Sequence, residues 1–414
     1  MGSSNSGMSR FEPERVMPKS TYSDRQVLRA ILLAALILRV LTLVCLSALD
    51  FDAGGYEPGA HAKNLYEGKG YAFRWYGLYE EPVVGSFVPP ALPGIMAAGL
   101  LLTNGDWGTT ALLLQLLNVL LSVATVYLVW RIARQIVQMS GTVLEPIPRI
   151  TSVWDLGRSL RRPDFGAAAF LTAYPPALGN VFEVRSQTLE AFLICWMTTL
   201  LLAAFLSKSP QRRCPGAPVS HYVTLGLLLG ISVLVRPALG LIWVPWSVAL
   251  LIRHRFSWAI LRSLLLVLAT GVLVVSPWTI RNWNVHNAFV PIATNGGFNF
   301  HMGNNAYSGG EIGHVHRVFA RMSPEERRAW RELSEVEKDR RFYRLGWEYW
   351  KHEPWRAFKG AVLKSAHFLG FRPAFLHMHP PAVVLIYVVS YVPLLLGFLL
   401  AVRTARELGP LMLY

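Results

Sequence analysis

Charge is scarce in this chain. Only 16% of its 414 residues are Asp, Glu, Lys or Arg, against 53% hydrophobic, where soluble domains carry about a quarter charged. Cysteine is scarcer still. Cys45 and Cys195 sit inside apolar blocks and Cys214 in a basic loop, so no disulfide framework exists and the redox compartment is not identified. Acidic residues are outnumbered 25 to 40 by Lys and Arg, for a net charge of +15. A nucleic-acid binder would gather that excess on one polar face with stacking aromatics. Here it lies in short runs between apolar blocks, a pattern of membrane topology that excludes a nucleic-acid partner. No repeat of solenoid period and no clear inverted repeat is present.

What is present is a series of apolar blocks, many close to the roughly 20 residues that cross a 30 Å hydrocarbon core. Backbone polar groups in lipid must be paired internally, so such blocks are helices. They fall at Val27–Leu49, Thr109–Val129, Phe165–Phe182, Thr188–Leu206, His221–Val235, Ala238–Ile252, Trp258–Ile280 and Ala382–Val402. The fold class is therefore all-α integral membrane, a polytopic bundle of about eight spanning helices. Arg10, Arg15, Lys19, Arg25 and Arg29 precede or open the first block and place the tail, residues 1–26, in the cytoplasm. The first block reads as an uncleaved signal anchor. Met1–Ser6 fits a myristoylation pattern but reads better as an ordinary polar tail.

Pro89–Thr103 decides the topology. If this short, proline-rich segment crossed, the basic stretch from Arg131 to Arg162 would lie outside. If it does not cross, that stretch, Lys208–Arg213, Arg253–Arg255 and Arg403–Arg406 all face inward, as the positive-inside rule asks. The non-spanning reading is adopted. The core is then 27–280 with a first outer loop at 50–90. A second outer segment occupies 281–381, and 382–414 is the last span and its tail. In the second outer segment, Ser323-Pro324-Glu325-Glu326 is a capping box with Pro at the first helical position, predicting a polar helix to His352 with a break near Ser334. Trp355–Phe371 mixes aromatics with Arg356, Lys359 and Lys364 as an interfacial helix does.

Candidate chemistry collects in the outward segments. Asp50 and Asp52 emerge at the end of the first span, where a carboxylate is costly unless solvated or paired; a hydrated loop anion is the plainer reading from spacing alone. Ala60 to Tyr71 predicts a short amphipathic helix closed by glycine. Tyr174-Pro175-Pro176 should kink the third span. Arg236-Pro237 forms a tight hairpin, and Pro277-Trp278-Thr279-Ile280-Arg281-Asn282 ends the seventh span. Arg236 and Arg281 at helix ends suit bidentate phosphate binding or snorkelling to headgroups. Asn295-Gly296-Gly297 through Gly303-Asn304-Asn305 reads as a loop that either cradles a polar ligand or simply turns. It is not a nucleotide fingerprint. His301, His314, His316, His377 and His379 lack metal-ligand spacing.

In order, these motifs resemble the bacterial branch of the protein O-mannosyltransferase-like (family 39 type) glycosyltransferases of the GT-C superfamily. The likeness runs from about Leu49 to Phe371. It comprises Asp52 with Tyr56, Ala62-Lys63-Asn64-Leu65, Gly68-Lys69-Gly70-Tyr71, Pro89, Pro90 and Pro93, Tyr174-Pro175, Ser186 with Thr188-Leu189, Arg236-Pro237, Pro277-Trp278 with Arg281-Asn282, and the Asn295 to Asn305 stretch. The resemblance implies a GT-C-like bundle with juxtamembrane helices on the outer face. It implies transfer of a sugar from a polyprenyl-phosphate donor to a lipid, glycan or protein acceptor. Asp52 would be the catalytic base, and Tyr56, Arg236, Arg281, Asn282, Asn295, Asn304 and Asn305 would bind substrate among membrane lipids. No cofactor is required; a divalent cation is the one to consider. Two positions depart from the pattern. Ala53 stands where many relatives carry an acid, and Gln187 where they carry Glu, which weakens any second-carboxylate or metal role unless Asp50, Glu57, Glu183 or Glu190 substitutes. Relatives often carry further helices beyond the apolar residues that follow Gly409. A lipid or small-molecule transporter and a catalytically silent scaffold of the same fold are the alternatives; polar motifs concentrated at one face favour an enzyme over a transporter.

Overall fold

Backbone groups that must be paired internally, and caps where the chain leaves the apolar phase, dictate the elements of this chain. The computed structural model describes residues 22–47, 57–140, 144–147, 150–206, 218–306, 322–368, 385, 389–392 and 394–395. Its helices are α1 (Tyr22–Ser47), α2 (Glu57–Tyr66), α3 (Ala91–Leu102), α4 (Trp107–Met139), α5 (Val153–Ser159), α6 (Pro163–Ala173), α7 (Pro175–Gly179), α8 (Gln187–Leu206), α9 (Val219–Val235), α10 (Trp243–Arg253), α11 (Trp258–His286) and α12 (Gly296–Gly303). After the undescribed residues 307–321 come α13 (Pro324–Glu332), α14 (Glu335–His352) and α15 (Pro354–Phe368). A small antiparallel ribbon pairs β1 (Ala72–Phe73) with β2 (Val83–Val84).

The architecture is that of an all-α membrane protein. Among the described residues, four helices are long and apolar enough to cross a membrane: Ser23–Leu46, Trp107–Met139, Gln187–Ala204 and Trp258–His286. Their outward faces are apolar, with Leu33, Leu41, Leu120, Leu268 and Leu273 exposed, as a hydrocarbon solvent allows. Exposed Trp258 and Trp283 mark the two ends of α11, about 38 Å apart along its axis, the separation of the two interfaces of a bilayer.

Side-chain contacts set the direction of each leg. α1 and α4 are antiparallel, since Asp24 meets Arg134 at 3.2 Å and Arg39 meets Ser122 at 2.7 Å. The end where α1 finishes, here the upper end, is therefore where α4 begins. Residues 57–106 start and finish there, and α3, with only 12 residues, rises about 18 Å. α4 and α8 are parallel (Asn118 to the Glu183 carbonyl, Gln135 to that of Thr199), whereas α8 and α9 are antiparallel (Arg236 with Glu190, His221 with the Leu200 carbonyl). A 3₁₀ turn (Pro237–Ile242) and α10 then lead back to the lower start of α11.

The α9–α11 contact is parallel and very close. A Cβ on Gly226 would lie 2.6 Å from the Val267 carbonyl oxygen, and one on Gly230 2.8 Å from that of Gly271. Gly226-xxx-Gly230 is thus a small-residue seam that lets two backbones touch. The register advances together on both helices, which brings Arg236 and Arg281 to the same end.

The third apolar block breaks where the sequence predicts, and the break has a use. Pro175 and Pro176 have no N–H, so the carbonyls of Leu171 and Thr172 lose their i+4 donors. Arg39, fully buried on α1, takes both at 3.4 Å, with Ser122 Oγ and the Ala35 carbonyl as further acceptors. At the lower end, Asp24 bridges Arg134 and Arg162, and Arg162 grips Asp164 at 2.7 Å. This buried network ties α1, α4 and α6 together.

Two expectations need correction. The seventh block's helix does not stop at Ile280: α11 runs past Pro277 and continues through Arg281 and Asn282 to His286. The carbonyl of Leu273, left free by Pro277, accepts from Ser276 Oγ at 2.9 Å, and termination waits for Asn287 in the left-handed region (φ 48°). The boundary at 280/281 therefore falls inside a helix. The Asn295–Asn305 stretch is not a loop but contains α12. The predicted span Ala382–Val402 lies mostly outside the described residues, and residues 369–371 of the predicted interfacial helix wholly so.

Above the bundle, Ser323 and Ser334 each head a complete capping box, with Glu326 and Glu337, which fixes the break before α14. An aromatic cluster of Tyr71, Phe73, Trp75, Phe87, Phe298, Trp330 and Phe342 joins the ribbon, α12, α13 and α14. Replacing Gly230 by Val is expected to cost about 1–3 kcal/mol through overpacking against Gly271, read as a lowered unfolding midpoint in detergent. The same change at Gly94, where a Cβ meets nothing, should cost less. Equal effects at the two sites would contradict the seam.

Candidate functional site: a polar clamp beside an apolar groove

Ser86 follows the ribbon and is fully buried, so each of its polar groups needs a partner. Its amide donates to Glu335 Oε1 at 2.8 Å and its carbonyl accepts from the Thr294 amide at 2.9 Å. Its hydroxyl donates to Asn282 Oδ1 at 2.6 Å and accepts from Arg281 Nη1 at 2.8 Å. Because that single proton goes to Asn282, His286 Nε2, 2.9 Å away, carries its own proton and donates. One serine thereby links β2, α11, the 290–294 segment and α14.

Asn282 is the second node. Its Nδ2 donates to the carbonyls of Val290 and Ile292, both at 3.1 Å, and its Oδ1 accepts from Ser86 and Arg281. Trp278 Nε1 and Thr279 Oγ1 hold the same segment through the carbonyls of Ile292 and Pro291. Glu335 receives the Thr294 hydroxyl as well as the Ser86 amide. A Cβ on Gly85 would collide with the Glu335 carboxylate, so a larger residue there would push that carboxylate off the Ser86 amide.

Arg281 is pinned by one nitrogen. Nη1 donates to the Gly85 carbonyl at 2.6 Å, to Ser86 Oγ and to Asn282 Oδ1, while Nε and Nη2 have no hydrogen-bond partner among the described residues. The guanidinium lies over the Trp278 ring at 4.8 Å and the Tyr71 ring at 5.5 Å. Arg281 is also one of the residues lining a groove of about 530 Å³, with Leu65, Gly70, Tyr71, Val84, Trp278 and Val285, and with Pro90 and Gly94 at the start of α3. Among the described residues Arg281 is the groove's one ionisable lining group apart from the Tyr71 phenol, whose hydroxyl is already committed to the Val88 carbonyl at 2.9 Å. The arrangement can take an anion attached to an apolar body.

Burial sets the electrostatics around it. Loss of water pushes the Glu335 carboxyl up, opposed by the Thr294 and Ser86 hydrogen bonds and by Arg281 and Lys338. Asp339, one turn on, is pushed up to about 6, again by burial first, although it accepts the Gly297 amide at 2.6 Å. Lys338 is pulled down to about 8 by burial and lies over Tyr79 at 5.2 Å. His61, stacked on Tyr71 at 4.2 Å, has no partner for either ring nitrogen among the described residues. Burial and then Arg281 take it down to about 3, so it is neutral.

Of the residues singled out from sequence, Arg281 and Asn282 meet in the clamp, and Asn282 has no group left for a ligand. Arg236 lies at the same end but is paired with Glu190 at 2.9 Å, which also accepts from Ser186. Asn295 precedes α12 without a side-chain cap bond. Asn304 and Asn305 turn their amides to the carbonyls of Phe300 and His301, closing α12, and Lys364 and Trp350 bond Asn304 Oδ1. Asp50, Asp52, Ala53 and Tyr56 lie outside the described residues. The substitute acids are engaged: Glu57 by Tyr76, Glu183 by Arg185 and Glu190 by Arg236. Among the described residues no three His, Cys, Asp or Glu converge as a metal set. Sequence reading missed Ser86, Thr294 and Glu335, whose importance comes only from long-range contact. Tyr71 and Trp278 stand within motifs that the sequence does single out, but without a role of their own.

Comparison of the chain with protein-family models, curated proteins and solved structures gave no match.

The raised carboxyl of Asp339 gives a signed pH dependence. Its folded value, about 6, lies above the ordinary 3.8, so the folded state holds the proton longer than the unfolded one. The stability it contributes is complete below about pH 3.8 and is lost as pH rises through 6. Asp339→Asn should therefore lose stability relative to wild type mostly at the acid end of that window. Thermal midpoints in nanodiscs across it check this, and a deficit that widens towards neutrality contradicts it.

Proposed function

We propose that this chain is a membrane glycosyltransferase that moves a sugar from a polyprenyl-phosphate donor to an acceptor hydroxyl at the extracytoplasmic face. The observation that carries the reading is the groove beside Arg281. A mostly apolar groove includes one cation that, among the described residues, keeps two donor nitrogens unbonded, a fit for a lipid whose only charge is a phosphate. Trp278, Tyr71 and the clamp pre-set the guanidinium, so little side-chain freedom remains to be lost on binding.

Topology supports the same reading. Among the described residues seven helical legs, four of them long and apolar enough to cross a membrane, alternate in direction, and with Ala382–Val402 as an eighth they are compatible with the expected count of about eight. With α3 not crossing, the short basic runs at Arg131–Arg134, Arg158–Arg162 and Arg253–Arg255 gather at the lower end, which is then the cytoplasmic one by the positive-inside rule. The clamp lies on the opposite face, where a lipid carrier would present its sugar.

Asp52 precedes Glu57 by five positions, so it is tethered within about 18 Å of the start of α2, whose Leu65 lines the groove. In the reaction, the Asp52 carboxylate accepts the proton of the acceptor hydroxyl. The oxygen forms its bond to the anomeric carbon from the face opposite the carrier. The bond from that carbon to the phosphate oxygen breaks, its electron pair leaving with the polyprenyl phosphate. Arg281 stabilises the charge gained by the leaving group. Arg236 already shares its charge with Glu190 and is a weaker candidate for that role. Arg39 offers a transporter little, because its guanidinium is enclosed by Ser122 and carbonyls.

Purified protein incubated with polyprenyl-phosphate sugars and hydroxyl acceptors tests this. Asp52→Asn is expected to lower kcat about 10²–10⁴-fold with an unchanged unfolding midpoint. Arg281→Gln is expected to lower it about 10²–10³-fold with a lowered midpoint. Transfer unaffected by Asp52→Asn would remove it as the base. Absence of transfer from any donor would favour a silent scaffold.

A further inference from the structure

α15 is anchored on one side and bare on the other. Ala357 is buried against the neighbouring helices, and Lys364 donates to the Gly303 carbonyl at 2.6 Å and to Asn304 Oδ1 at 3.1 Å. Across the helix, Trp355, Phe358 and Val362 are 73%, 52% and 51% exposed. Their spacing of three and four residues puts them on one stripe. Lys359 flanks that stripe, and Arg356 stands beside it, paired with Glu353 at 3.0 Å and still largely exposed.

We infer that this stripe is a lipid-docking surface: α15 lies in the plane of the bilayer interface with Trp355, Phe358 and Val362 turned into the acyl boundary and Lys359 and Arg356 among anionic headgroups. Three observations choose lipid over a protein partner. The chain is a membrane protein, so a bilayer surface lies within reach of its extramembrane helices. An apolar stripe with basic residues at its margin is the pattern of a helix resting in an interface, where Trp is favoured for its apolar body and polar edge. And α15 leads in sequence towards the apolar stretch Ala382–Val402, so it is juxtamembrane.

The docking would act on the clamp through bonded contacts. Lys364 fastens α15 to the end of α12, and α12 begins at the Asp339 carboxylate of α14. α14 carries Glu335, which holds Ser86. A lipid-seated α15 is thereby joined to Ser86, and so to Arg281, through consecutive contacts. The inference needs only the membrane embedding and stands or falls apart from the transferase reading.

Nitroxide labels test it on the full chain with Cys45, Cys195 and Cys214 replaced. Labels at Phe358→Cys and Val362→Cys, with Lys351→Cys as an exposed control, are compared in proteoliposomes of phosphatidylcholine with and without phosphatidylglycerol. The expected result is loss of relaxation by an aqueous nickel chelate at 358 and 362, retained relaxation by oxygen, and full nickel relaxation at 351. Phosphatidylglycerol should deepen the protection, and Lys359→Glu should reverse that gain. Nickel relaxation at 358 and 362 equal to that at 351, with near-native thermal midpoints, would overturn the inference. Spin–spin broadening between labels on two chains would overturn it in favour of a second copy.

Discussion

The cap of this protein hangs on Ser86. It is one small buried residue, yet its amide, carbonyl and hydroxyl reach α14, the 290–294 segment and α11 in turn. No larger side chain could occupy the position without separating those elements, and none without a hydroxyl could receive Arg281 and satisfy Asn282 together. Because every donor and acceptor there is spoken for, the geometry of Arg281 follows from it. One nitrogen is consumed by the fold, and the residue so held lines the groove. An isolated arginine at a helix end would snorkel towards headgroups; this one is held by a hydroxyl, a carbonyl and two rings.

The same accounting of polar groups governs the membrane-embedded half. Proline removes a donor, and both at the Pro175-Pro176 break and at Pro277 the freed carbonyls are claimed by a nearby side chain. Arg39 takes those of Leu171 and Thr172, and Ser276 takes that of Leu273. The first case produces a helix break with a cation from another helix as its filling. The second lets α11 run on intact and carry Trp278, Arg281, Asn282 and His286 on consecutive turns. Prolines in similar apolar surroundings thus have opposite consequences, decided by which donor lies within reach.

That contrast explains what was legible in the sequence. Apolar blocks, capping boxes at Ser323 and Ser334, and the glycine closure after α2 were readable because they depend on composition and local spacing. The continuation of α11 was not, since Ser276 next to Pro277 offers no sign that its hydroxyl turns back to residue 273. The helix in the Asn295–Asn305 stretch was hidden by its glycines, which read as turns. They are there because α12 approaches α14 so closely that a Cβ on Gly297 would meet the Asp339 backbone. The Gly226-xxx-Gly230 spacing is visible in the sequence, but its partner, the backbone at Val267 and Gly271, is not. Arg281 was legible from its place at an apolar block's end. Glu335 was not, because an acid at the first position of a capped helix is usually there for the helix dipole.

Arg281 as a phosphate receptor for a lipid with an apolar chain is the central proposal, and retention of such a lipid by the purified protein measures it most directly. Native mass spectrometry from detergent with equal amounts of a polyprenyl phosphate and the corresponding polyprenol should show the phosphate form retained in preference, with the preference lost in Arg281→Gln. Equal retention of phosphate and alcohol by the wild type, or a phosphate preference that survives Arg281→Gln, would contradict it.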